Sequence, residues 1–220
     1  KSWEAQLGYF GRVNYAFKNK YLIEGNLRYD GSSKFTEELW WRWYPSVSAG
    51  WVASEESFME WTKPVLNSLK FRASWGSIGD QSVPNTLYLP IMPNGQSTWI
   101  GANGQRVFFV GTPAAIDANI RWQDVETKNI GVDFGLLKSK INVTFDLFER
   151  KTDDMIVPQE GIPLTFGAGA PLGNYGALTT KGWELTVDYN HRFGNGLGIN
   201  LRGNISDAKS ILTSYGSGTA

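Results

Sequence analysis

The sequence predicts an all-β fold, specifically an antiparallel transmembrane β-barrel wall, on two observations. Apolar side chains recur at every second residue in segment after segment, and the connections between segments alternate between tight turns and long loops. Successive side chains on a strand point to opposite faces, so this alternation gives each strand one apolar face and one wet face. Strands of about ten residues with that pattern, short turns at one end and long loops at the other, are the signature of a barrel with a hydrated interior.

The first strand spans 7–17, with Tyr9, Val13, Tyr15 and Phe17 on one parity and Arg12 and Asn14 on the other. In 20–30, Tyr21, Ile23, Leu27 and Tyr29 oppose Glu24, Asn26, Arg28 and Asp30. Shorter strands follow at 46–53 and 69–77. The fifth, 127–136, sets Ile130, Val132, Phe134 and Leu136 against Asn129 and Asp133, and the sixth, 140–150, sets Ile141, Val143, Phe145 and Leu147 against Asn142, Thr144 and Asp146. In 182–190, Trp183, Leu185, Val187 and Tyr189 oppose Glu184, Thr186 and Asp188. The last, 197–206, opposes Leu197, Ile199, Leu201 and Ile205 to Asn200, Arg202 and Asn204. The phase does not slip within a strand. Lys18-Asn19-Lys20, Leu137-Lys138-Ser139 and 191–196 are expected as tight turns, and 31–45, 78–121 and 152–181 as long extracellular loops. The connection 54–68 is of medium length, with Ser54 placed to cap a short helix whose first turn holds Glu55 and Glu56.

Composition excludes more than it selects. The 220 residues carry 21 basic and 21 acidic side chains, a balance without the electrostatic footprint of a nucleic-acid binder. No cysteine is present, which removes disulfides, thiolate metal sites and cysteine nucleophiles. The mean hydropathy of -0.29 is compatible with a barrel, because half of each strand is polar. No apolar run reaches the length of about 18 residues that a spanning helix needs. The start, Lys1-Ser2-Trp3-Glu4, lacks the basic and apolar regions of a signal peptide, so any secretion signal is expected upstream or removed.

Catalysis finds no support. His191 is the one histidine, so neither a Ser-His-acid triad nor a multi-histidine metal site can be assembled, and neither an enzymatic activity nor a cofactor is expected. The acidic pairs Glu37-Glu38, Glu55-Glu56 and Asp153-Asp154 read as solvated or capping carboxylates. The glycine-rich stretch around Gly167-Ala168-Gly169 lacks the Lys-Ser/Thr of a phosphate loop and reads as a loop. Ten Trp within a 14% aromatic content do ask for an explanation. Trp40, Trp41, Trp43, Trp99, Phe108 and Phe109 are candidate substrate or partner contacts, since flat rings beside polar groups stack on sugars or pack on proteins. Their plainer alternatives are rings buried by their own loop, or an interfacial belt at the bilayer edge. Arg12, Arg28, Arg72, Asp133, Glu184 and Arg202 are expected to face the lumen, as neutralised charge pairs in the first instance and as selectivity determinants in the sharper alternative.

Several strings in order carry a resemblance: Tyr9-Phe10-Gly11-Arg12-Val13-Asn14-Tyr15, Arg28-Tyr29-Asp30-Gly31-Ser32-Ser33-Lys34-Phe35, Pro45-Ser46-Val47-Ser48-Ala49-Gly50-Trp51 and Leu69-Lys70-Phe71-Arg72-Ala73-Ser74-Trp75-Gly76, then Asn129-Ile130-Gly131-Val132-Asp133-Phe134-Gly135 and Lys181-Gly182-Trp183-Glu184-Leu185-Thr186. Together they resemble the SusC/RagA-type TonB-dependent transporters of Bacteroidetes outer membranes. The resemblance implies about eight strands from the C-terminal half of a roughly 22-stranded barrel with a plugged lumen. It also implies an outer-membrane location, TonB-dependent import of a bulky nutrient (oligosaccharide or peptide), a SusD-like surface lipoprotein as partner, and contact with membrane lipid. The family's plug and TonB box have no counterpart in these residues, so no energy-coupling residue is carried over. Two alternatives stand beside it: a soluble carbohydrate-binding β-sandwich, and a small outer-membrane barrel acting as an adhesin.

Overall fold

Eight long strands hydrogen-bond into a single antiparallel sheet in the computed structural model, which describes residues 3–85, 87–117, 119–194, 196–216 and 218–219. They are β1 (Gln6–Phe17), β2 (Tyr21–Ser32), β3 (Trp41–Val52), β4 (Leu66–Asp80), β7 (Gln123–Leu136), β8 (Ile141–Pro158), β9 (Leu172–Arg192) and β10 (Gly198–Tyr215), and the two-residue β11 (Gly218–Thr219) adds to the far edge. Each pairs with its neighbour in sequence, except that β4 meets β7 across a long connection holding a separate hairpin, β5 (Asn94–Ile100) and β6 (Arg106–Val110). The sheet does not close on itself.

Register fixes which residues share a face, because directly opposed residues point the same way. One row runs unbroken through the eight long strands: Phe17, Tyr21, Trp51, Phe71, Val132, Phe145, Leu185 and Ile205. The adjacent row, on the opposite face, reads Ala16, Leu22, Gly50, Arg72, Gly131, Asp146, Glu184 and Ser206. The first face is thus apolar across the whole sheet. Its residues are open rather than packed, Ile130 at 66% and Leu201 at 61% exposure, and no second sheet covers them among the described residues. Soluble monomers rarely expose contiguous apolar surface of this extent. A β-sandwich would have buried it.

Strands outrun the predicted limits at the loop end. The segment 31–45 is not one long loop: β2 continues to Ser32 and β3 begins at Trp41, leaving 33–40 with a 3-10 turn at Glu37–Leu39. Likewise β8 and β9 extend into 152–181 and leave only 159–171, with a 3-10 turn at Leu164–Phe166. Both extensions lie beyond the apolar rows, where Glu149, Lys151 and Asp153 occupy the parity that carried Phe145 and Leu147. With charge on that parity, β8 loses the alternation that marks a strand in sequence, although farther along Ile156 packs into a small core at the loop end and Val157 is buried. The long connection 81–122 also contains β5–β6, and the 54–68 connection holds two 3-10 turns, Ala53–Glu55 and Ser57–Thr62. Ser54 caps neither; it is buried inside the first turn.

At the opposite end the turns are short. Lys18 and Asn19 both have positive φ, and Lys20 N donates to Phe17 O at 3.0 Å, in a three-residue connection closed by the Phe17–Tyr21 pair. Leu137, Lys138 and Ser139 are all left-handed in the β7–β8 turn, and Gly196 supplies φ 87 between β9 and β10. The predicted turn at 191–196 starts two residues late, since β9 runs through Arg192.

Candidate functional site

The polar face is organised around Arg72. Its Nε donates to Asp133 Oδ2 at 2.8 Å and its Nη2 to Asp133 Oδ1 and Asp146 Oδ2, each at 3.1 Å. Arg72, Gly131 and Asp146 stand in one row on β4, β7 and β8. A Cβ on Gly131 would lie 2.7 Å from the guanidinium and closer still to Asp146 Oδ1, so only glycine lets the arginine reach across a whole strand. Asp146 Oδ1 is buried and has no hydrogen-bond partner among the described residues, and Glu184 stands directly opposite it on β9.

Further pairs line the same face. Arg12 Nε donates to Asn26 Oδ1 at 2.8 Å and stands 3.8 Å from Glu24. Arg28 pairs with Asp30 at 3.0 Å and Arg202 with Asp188 at 2.5 Å. Arg12, Arg28, Arg72, Asp133, Glu184 and Arg202 therefore share one face, and all but Glu184 are in the ion pairs described. Between β1 and β7 this face holds a recess of about 530 Å3, lined by small residues (Ser48, Gly50, Ser74) and by Glu24, Lys70 and Arg72.

The aromatic candidates divide into three. Trp41 and Trp43 lie on the apolar face, in a ladder whose ring centroids step from Tyr9 to Trp41 (6.1 Å), to Tyr29 (4.8 Å) and to Trp43 (4.3 Å). The ladder runs along the apolar face, on the parity of Trp51, rather than on the ion-paired face. Trp40 turns back on its own loop, its Nε1 donating to Phe35 O at 2.7 Å. Trp99 and Phe108, 80% and 75% exposed, project with Phe109 from the β5–β6 hairpin.

The loop end has its own small core, and sequence reasoning missed most of it. Beyond the last β3–β4 pair, Ser46 with Gly76, the strands separate and the Tyr44 ring packs against Trp122. Phe35 stacks on Trp122 at 5.0 Å, Val83 and Ile120 complete the cluster, and Trp122 Nε1 donates to Leu39 O at 2.9 Å. Arg42 pairs with Asp124 at 2.5 Å. Arg121 grips Asp154 through Nε (2.8 Å) and Nη2 (2.6 Å), and this hydrogen bonding holds its guanidinium above the ordinary arginine range. Asn174 accepts from Arg121 N and donates to Arg121 O and Asp154 O. Asp154, expected as a solvated carboxylate, instead sits at φ 57 and clamps the long connection to β8 and β9. Its one signal in the sequence was the acidic pair. At the turn end, Glu56 accepts from Tyr21 Oη at 2.7 Å and Lys20 Nζ at 3.1 Å, and these bonds hold its carboxyl below the usual glutamate range. No group of three or more metal-binding side chains exists among the described residues.

This two-faced, ion-paired wall has known relatives: residues 4–218 match the family described as TonB dependent receptor-like, beta-barrel. The chain belongs to that family. It is 34% identical over 184 residues to the TonB-dependent receptor SusC of Bacteroides thetaiotaomicron, covering 83% of this chain and 18% of SusC. It is 31% identical over 180 residues to TonB-dependent receptor P26 of Formosa agariphila, covering 82% and 18%. The chain thus spans less than a fifth of the length of these receptors. Among solved structures, the RagAB peptide transporter superposes with a TM-score of 0.82 at 20% identity, over 97% of this chain and 23% of that one. The FrpB iron transporter from Neisseria meningitidis superposes at 0.61 and 15% identity, over 97% and 27%. The fold is therefore that of a sector of a TonB-dependent receptor barrel, of SusC/RagA type, in the outer membrane. Its apolar rows are the surface such a barrel presents to lipid.

Proposed function

We propose that residues 1–220 form one sector of the wall of a TonB-dependent importer that carries a bulky nutrient, an oligosaccharide or a peptide, across the outer membrane. The observation that carries this is the division of eight consecutive strands into a lipid face and an ion-paired face, in a chain of the TonB dependent receptor-like family. The loop end faces outward and the turn end faces the periplasm. A SusD-like surface lipoprotein covers the loops, where Trp99, Phe108 and Phe109 offer apolar contact. TonB acts through a plug formed by other parts of the polypeptide. Substrate enters when loops and lid close over it, and leaves when the plug rearranges. Along the way it passes a polar wall on which most of the arginines are already paired with carboxylates, which weakens the fixed charge it meets.

The test uses the whole transporter in its own outer membrane, with fluorescently labelled oligosaccharide and peptide pools. Accumulation of one pool that stops when a protonophore collapses the inner-membrane gradient supports the reading. Accumulation indifferent to the protonophore, or recovery of the protein without detergent, overturns it.

A further inference from the structure

Toward the loop end the ion-paired face changes character. One row of that face, fixed by register from β4 to β10, reads Gly76, Thr127, Arg150, Thr180 and Ser210. The next row toward the loops reads Ile78, Val125, Thr152, Leu178 and Leu212, apolar on every strand but β8, and Ile78 is 59% exposed. Behind these rows the other face is charged, with Glu126 paired to Lys128, Glu149 to Lys181 and Lys151 to Asp153. Here the apolar side chains lie on the face that otherwise carries ion pairs.

Arg150 is exposed in the middle of this ground, and no ion pair engages it among the described residues, in contrast to Arg12, Arg28, Arg72 and Arg202 on the same face. Neither row contains an acid. Asp146 and Glu184 stand two rows toward the turn end, the first held by Arg72, and Asp154, beyond the apolar row, is held by Arg121. Thr180 and Ser210, in the row of Arg150, bond to each other through their hydroxyls at 2.8 Å. One row nearer the turn end is Phe148, whose ring lies over Gly182, where a Cβ would come within 2.6 Å of it. Thr127, directly opposite Arg150, opens into a recess of about 340 Å3 that Ile78 and Val125 also line, and the carboxylate on its wall, Glu24, stands beside Arg12.

A free guanidinium is a two-pronged donor matched to a carboxylate. Val125 and Leu178 are the diagonal neighbours of Arg150 on the flanking strands, about 7–8 Å away and within reach of one bound group. The terminal carboxylate of a peptide sits on the same carbon as its last side chain, so a peptide ending in an apolar residue places its charge on Arg150 and that side chain on Val125 and Leu178 together. A uronate sugar carries its carboxylate on a ring edged with hydroxyls, and for those the adjoining row offers a polar partner only at Thr152. We propose that Arg150 is a specificity determinant of the importer, taking the terminal carboxylate of a peptide whose last residue is apolar. The proposal rests on the import reading and narrows its cargo from oligosaccharide or peptide to peptide.

The experiment is fluorescence anisotropy on the whole detergent-purified transporter, with a mixed-sequence pool of amino-terminally labelled decapeptides ending in Leu, prepared as free acids or as carboxamides. Wild type is expected to bind the free acids about tenfold more tightly, the effect of charge-assisted hydrogen bonds at a site that water reaches. Arg150→Gln should erase that ratio, and Arg150→Lys, which keeps the charge and loses the fork, should retain part of it, which separates lost charge from lost folding. Val125→Asn combined with Leu178→Asn should keep the preference for the acid and lose the preference for Leu over Ser as last residue. Equal binding of acid and carboxamide by wild type, binding of neither, or an unchanged ratio in Arg150→Gln overturns the proposal. So does tighter binding of labelled oligogalacturonides that Arg150→Gln abolishes, which would make this a uronate subsite. Uptake in the outer membrane keeps the two readings apart: protonophore-sensitive uptake of acid and carboxamide alike leaves import standing without this subsite, whereas no protonophore-sensitive uptake of any pool removes the import reading itself.

Discussion

Arg72 on β4 and Asp146 on β8 are hydrogen-bonded at 3.1 Å although a complete strand lies between them, and the bare backbone of Gly131 is what lets them touch. Replacing Gly131 with alanine is expected to push the guanidinium off Asp146, leaving a half-buried carboxylate without its cation. The loss should be about 1–3 kcal/mol, below the cost for a fully buried pair because water reaches this face. Urea unfolding of the whole transporter in micelles measures it. Arg72→Ala should cost at least as much, since it orphans Asp133 as well.

Trp41 and Trp43 should behave as belt residues. Trp43→Ala is expected to lower the unfolding free energy by about 1–3 kcal/mol and leave substrate affinity unchanged. Tryptophan fluorescence offers a second check: brominated lipid should quench Trp43, and aqueous iodide should not. A loss of ligand binding without loss of stability would move these rings to the vestibule.

The hairpin aromatics should show the opposite pattern. Trp99→Ala and Phe108→Ala, which remove exposed rings with little of the fold resting on them, are expected to leave the unfolding midpoint within experimental scatter. If they anchor a lid or substrate, each should weaken that association by about 1–3 kcal/mol, the range of interface anchors. Surface plasmon resonance against the partner lipoprotein, with substrate present and absent, distinguishes the two roles.

Glu56 predicts a pH dependence at the turn end. The hydroxyl of Tyr21 and the ammonium of Lys20 hold its carboxyl low, so folding is favoured by the ionised form. That contribution is complete at neutral pH, begins to fall as pH drops below the ordinary glutamate value of about 4.3, and is gone once pH passes under the lowered folded value. Glu56→Gln should flatten this limb of a stability-against-pH curve while leaving the neutral-to-alkaline part parallel to wild type.

The wall was legible in the sequence because lipid on one side and water on the other force a period of two, and every strand that crosses the apolar rows carries it. Legibility ended where the bilayer ends. Trp41-Arg42-Trp43-Tyr44 is bulky at nearly every position, so its alternation is hidden although Trp41 pairs with Gly31 and Trp43 with Tyr29. The β8 extension carries charge on the formerly apolar parity, the β9 extension has mostly small or polar residues there (Gly173, Ala177, Thr179, Lys181), and both read as loop. The Arg121–Asp154 and Arg42–Asp124 pairs join residues 33 and 82 apart in the chain, and nothing local announces such contacts. Of the candidate contacts, the parity of Trp41 and Trp43 was available from their strand once its start was known; the exposure of Trp99 and Phe108 was not.

The left-handed turn Leu137-Lys138-Ser139 leads to an unequal tolerance of length change at the two ends of the molecule. One residue inserted or deleted there slips β8 against β7 by a single step, turning Phe145 and Leu147 toward water and Thr144 and Asp146 toward hydrocarbon. The same indel in 159–171 lengthens or shortens a largely exposed arch without moving either strand's parity, so the loop end of the sheet absorbs length change that the turn end does not.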